Sequence, residues 1–128
     1  SILPLVMGAD VEPQMAQTAE AIAQVVRMVE EPVLLIASAD FSHYEPDATV
    51  IAQDKSILER VYDFDASGVM RTVRENGIRM CGAGAIAALL SAARHLGASQ
   101  ASLVAYATSA EAGGDRHSAI GYAGIRIV

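Results

Sequence analysis

The chain has 128 residues, 52% of them apolar and 19% charged, with a net charge of −6. With a mean hydropathy of +0.32, it lies outside the low-hydrophobicity, high-charge regime of intrinsic disorder, and its acidic balance offers no basic face for nucleic acid. The length suits one domain spanning residues 1–128 and is too short for two ordinary ones.

The chain starts at Ser1 and enters the apolar run Ile2–Met7 at once, ended by Gly8. This predicts a buried strand. With no charged n-region and no small-residue cleavage pattern, the run is not a signal peptide; it reads as the interior of a longer chain. Asp10 is placed to cap the next segment, and Pro13 fits a first helical turn. Met15, Ala19, Ile22, Val26 and Val29 recur at helical spacing and predict one inward face. Val33–Ala37 is apolar on both faces, as in a central strand of a parallel sheet.

Residues 47–62 and 65–75 read as helices separated by Asp63-Phe64-Asp65. Gly82–Leu96 reads as a helix with Ile86, Leu89, Leu90 and Ala93 on its apolar face, Arg94 and His95 in its last turn, and Gly97 to close it. Ser102–Tyr106 and Ile120–Ile127 read as closing strands joined through Gly113-Gly114-Asp115. The order of strand, helix, strand, helices, strand, strand predicts an α/β layered structure. No apolar run approaches the roughly 20 residues that cross a bilayer. A single cysteine, Cys81, forms no internal disulfide and fits a reducing, cytoplasmic compartment. Eight of the nine basic residues are arginine, a bias of GC-rich bacterial genomes.

Chemistry concentrates at three places. Asp40-Phe41-Ser42-His43 directly follows the run 33–38, where α/β sheets bind their ligands. Asp40 and His43 there suit a metal ligand, or a base with its orienting carboxylate; the plainer alternative is a loop with Asp40 as a cap and His43 in solvent. Cys81-Gly82-Ala83-Gly84 opens a predicted helix. The free amides and dipole of a helix N-terminus favour a thiolate there, while a lone cysteine is more commonly a small packing residue. With no CxxC and no local ligand pair, a self-contained zinc site is excluded. Asp115-Arg116-His117 and Tyr106–Ser109 can line a pocket or form an exposed hairpin tip.

Taken together, Ser38-Ala39-Asp40-Phe41-Ser42-His43, Cys81-Gly82-Ala83-Gly84-Ala85-Ile86, Tyr106-Ala107-Thr108-Ser109 and Gly121-Tyr122-Ala123 resemble, in order and spacing, the Memo family, whose prokaryotic members are the AmmeMemoRadiSam system protein B. The resemblance spans essentially the whole chain but only the C-terminal half of a full-length member. It implies an α/β fold with a layered mixed sheet flanked by helices, similar to one half of a class III extradiol dioxygenase. It implies Cys81 as a metal ligand, with Asp40 and His43 as the catalytic pair beside the metal. The two other metal-ligand histidines of the family lie in its N-terminal half, and His95 and His117 do not match them. The ligand set within this chain is therefore incomplete. Ala83-Gly84 departs from the basic residues that follow Cys-Gly in the animal protein.

The function implied is a non-haem iron or copper redox protein. A non-enzymatic protein binding a peptide or small ligand in the same pocket is the alternative. The partners expected are the N-terminal half or a second copy, and a small-molecule or peptide ligand, with neither nucleic acid nor membrane.

Overall fold

Among the described residues three strands pair, all antiparallel, in the order β1-β3-β2: β1 (His43–Glu45), β2 (Ala101–Thr108) and β3 (Ala119–Ile127). They come from a computed structural model describing residues 1–7 and 12–128. Gly8 and Asp10, read above as a strand end and a cap, lie outside the described residues, as does the side chain of Pro13.

Among the described residues four helices accompany the sheet: α1 (Glu12–Met28), α2 (Asp47–Tyr62), α3 (Ala66–Glu75) and α4 (Ala83–His95). All four match helices predicted from the sequence to within a few residues. Asp65 caps α3 by accepting a hydrogen bond from the Gly68 amide at 2.8 Å, which is why the acidic break starts a new helix. Gly97 closes α4 at φ 95°, a left-handed geometry that costs glycine least. The α1 stripe is Met15, Ala19 and Ala23, narrower than predicted. Val29 falls beyond the helix and is exposed. A seam of small residues lets α1 lie close against alanine-rich α4, and the Arg27 guanidinium donates to the carbonyl of His95 at the C-terminal end of α4.

The principal core gathers Phe41, Ile57, Val61, Val69, Ile86 and Leu90 from α2, α3, α4 and the segment before β1. Two expected strands do not form. Residues 1–7 and 33–37 carry no strand structure, and most of their large side chains are exposed, Val6 at 97%, Leu34 at 81% and Ile36 at 77%, while Met7 and Leu35 are half-buried. A strand exists only if a neighbour takes up its backbone N–H and C=O groups. Among the described residues no strand pairs with either run, so apolar patterning alone leaves them open. Between 33–37, α4 and β3 lies an apolar groove of about 660 Å³, lined by residues that include Leu35, Ile36, Leu89 and Ile125.

Candidate metal centre

Segment 41–43 is gripped from both sides by backbone hydrogen bonds. On one side Gly121 of β3 accepts from the Phe41 amide and donates to the Ser42 carbonyl, each at 3.0 Å. On the other, the His43 amide donates to the Arg79 carbonyl at 2.8 Å, and Ser42 forms an isolated antiparallel bridge with Met80. That bridge is the physical reason two motifs some forty residues apart meet: His43 follows Ser42 and Cys81 follows Met80. Gly82 tightens the contact. It adopts φ 73°, and a Cβ there would overlap the Ala39 side chain and come within 3.1 Å of the Ser38 carbonyl.

One ligand atom each from Asp40, His43 and Cys81 lies within 4.8 Å of the others, a group able to hold a metal ion. His43 Nε2 stands 3.8 Å from Asp40 Oδ2; the imidazole side chain is 17% exposed and the carboxylate 48%. Cys81 is exposed. The Nε2 atom itself is buried and has no hydrogen-bond partner among the described residues. An orphaned buried nitrogen costs about 1–3 kcal/mol, and a cation at this point would satisfy it. Thiolate, imidazole and carboxylate together suit a late first-row metal better than magnesium or calcium. The residues present therefore fit a metal. The next residue, Tyr44, holds φ 59°, a rare backbone state for a bulky side chain, at a register shift of β1. Its ring meets that of His43 edge-on, with centroids 5.5 Å apart.

Sequence reasoning missed what lies behind the segment. Asp54 of α2 is fully buried and accepts from the Ser42 amide at 2.9 Å, the Ser42 hydroxyl at 2.5 Å and the Tyr106 hydroxyl at 2.6 Å. The available signal was a carboxylate in helical register with Val50, Ile57, Leu58 and Val61 on the buried face of α2. Burial first, then the hydrogen bond to Asp54 and its charge, hold the Tyr106 phenol protonated far above its ordinary range.

A raised folded-state pKa stabilises the native state below the unfolded phenol's pKa of about 10 and is lost as pH climbs toward the folded value. The slope above about pH 10 is at most about 1.4 kcal/mol per pH unit, reduced because Tyr106 retains some solvent contact. Urea midpoints are expected to drop between about pH 9.5 and 11, and to drop less in Tyr106→Phe. Equal slopes in the two proteins would contradict this.

The remaining candidates stay apart from the centre. Arg116 is exposed and pairs with Asp47 at 3.9 Å, and Asp115 Oδ1 accepts from the His117 amide at 2.8 Å. Thr108 donates to Asp47 Oδ1 at 2.6 Å. The hairpin tip is thus tied to the start of α2. His95 ends α4, as expected. None of the three donor residues lines the apolar groove.

A model of the Memo-like protein family matches residues 1–126. The chain belongs to the Memo-like family. Its α/β architecture is accordingly the dioxygenase-like fold of that family. A MEMO1 family protein of Methanothermobacter thermautotrophicus is 37% identical over 122 residues, covering 95% of this chain and 44% of the relative. Another, from Methanosarcina barkeri, is 35% identical over 124 residues, covering 97% and 47%. One from Nitrosopumilus maritimus is 32% identical over 128 residues, covering 99% and 46%. The chain thus spans under half the length of these archaeal relatives. Among its described residues no helix is long and apolar enough to cross a membrane.

Proposed function

We propose that this Memo-like chain supplies part of the metal and substrate pocket of a non-haem iron or copper redox protein. The observation that carries the reading is the meeting of Asp40, His43 and Cys81 within 4.8 Å around an unpartnered, buried His43 Nε2. Cys81 is the ligand from this chain. A bound metal would supply redox chemistry and open positions for oxygen and an oxygen-bearing substrate. His43 is placed to take a proton from, or return it to, a substrate hydroxyl. Asp40, at 3.8 Å from Nε2, stands beside the ring to orient it. Exposure of Cys81 leaves the centre open on one side, where the ligand enters.

Durable sites for such metals use three or four protein ligands in fixed geometry. The remaining donors of this reading belong to the region of the relatives that this chain does not span. The same region is proposed to cover the apolar groove and the exposed faces of residues 2–6 and 33–36, which otherwise favour self-association.

The test is metal content of the full-length protein, followed by oxygen uptake with catechols. Stoichiometric iron or copper, lost in Cys81→Ser, is expected. His43→Ala is expected to keep the metal and cut oxygen uptake by about 10²–10⁴-fold. Metal without turnover would favour the ligand-binding alternative, and absence of both would overturn the metal reading.

A further inference from the structure

We propose that Asp54 is a positioning residue for the metal centre, fixing through Ser42 the spacing between Asp40, His43 and Cys81. The inference rests on the metal reading for its consequence and on geometry for its mechanism. One carboxylate oxygen receives both the amide and the hydroxyl of Ser42, at 2.9 and 2.5 Å, and the other receives the Tyr106 hydroxyl at 2.6 Å. Ser42 is itself fully buried, lies directly before His43 and bridges to Met80, directly before Cys81. A side chain that holds Ser42 therefore holds both halves of the centre.

Glycine at 121 leaves the space this arrangement needs. A Cβ there would overlap Asp54 Oδ2 and press within 3.1 Å of Val50 Cγ1. Gly121 simultaneously exchanges backbone hydrogen bonds with residues 41 and 42. Helix α2, strand β3 and the 79–81 segment thus converge on Ser42. Asp54 is the side chain that joins the helix to this junction, and Tyr106 fixes the carboxylate from β2.

The experiment uses the full-length protein with Co²⁺ as the metal probe, in Asp54→Asn and Gly121→Ala. The first keeps the shape and removes the charge and one accepting oxygen. The second leaves the carboxylate chemically intact but displaces it. Val69→Ala, in the α3 core, serves as a control that is destabilised without removing any hydrogen bond of the junction. Both junction variants are expected to weaken Co²⁺ binding by at least about tenfold, the usual effect of losing a residue that orients a ligand. The thiolate-to-cobalt absorption band should shift as well. Val69→Ala should bind as wild type.

In the metal-free protein, amide resonances of residues 41–43 and 79–81 should move in Asp54→Asn, while those of the second half of α4 stay. Wild-type affinity and an unmoved band in both junction variants would overturn the proposal, as would unmoved resonances at 79–81. If the wild-type protein takes up no Co²⁺, the metal reading fails. The resonances then decide alone whether Asp54 sets the spacing.

Discussion

Asp54→Ala is expected to destabilise the protein by about 3–5 kcal/mol, a large part of the 5–15 kcal/mol that holds a typical domain together. The side chain is fully buried and satisfies three donors at once: the Ser42 amide, the Ser42 hydroxyl and the Tyr106 hydroxyl. Truncation leaves each of them facing a cavity, and a stranded buried donor costs about 1–3 kcal/mol. The loss is offset in part because a carboxylate no longer has to be desolvated. Urea unfolding of the two proteins side by side measures the difference. A loss below about 1 kcal/mol would mean that water replaces the carboxylate and that the junction is not held by it.

Gly82→Ala is expected to cost about 2–4 kcal/mol and to spread the candidate centre. A left-handed φ of 73° penalises any L side chain by roughly 1–2 kcal/mol. The added Cβ would also overlap Ala39, the residue before Asp40, where backbone atoms as well as a methyl stand in the way. The strain can relax only by moving Ala39 or the turn at Cys81-Gly82, and either motion separates the thiol from Asp40 and His43. Thermal unfolding should report the first effect and metal affinity the second, with affinity falling by at least about tenfold. Unchanged affinity in a destabilised variant would show that close packing at Gly82 does not set the donor spacing.

Both predictions turn on contacts that the sequence discloses unevenly. The helices were legible because their signals are local: apolar spacing along α2 and α4, the Asp65 cap, Gly97 after Arg94 and His95. The antiparallel pair of β2 and β3 was legible for the same reason, with glycines in the connection between them. The runs 2–7 and 33–37 were read as strands because apolar patterning signals demand for burial, but pairing depends on a neighbour that the pattern does not name. Asp40 and His43 were singled out at the end of a strand over 33–38 that does not form, and Cys81 at a helix start; the Ser42–Met80 bridge is what brings them together. Asp54 escaped because an acidic residue in a helix is usually solvated. Only the apolar residues flanking it at helical spacing mark it as buried, and its partners lie 12 and 52 residues away. Gly121 reads in the sequence as a strand residue and part of a family motif, but the reason for a glycine there, the carboxylate that occupies the place of its side chain, does not.

The account depends most on Cys81 acting as a metal ligand beside His43. X-ray absorption at the edge of the metal bound by the full-length protein tests this directly, because sulfur and nitrogen or oxygen neighbours scatter differently and at different distances. One sulfur neighbour alongside nitrogen or oxygen scattering is expected, the sulfur disappearing in Cys81→Ser and persisting in His43→Ala. A bound metal surrounded by nitrogen and oxygen alone, or a spectrum unchanged by Cys81→Ser, would contradict it.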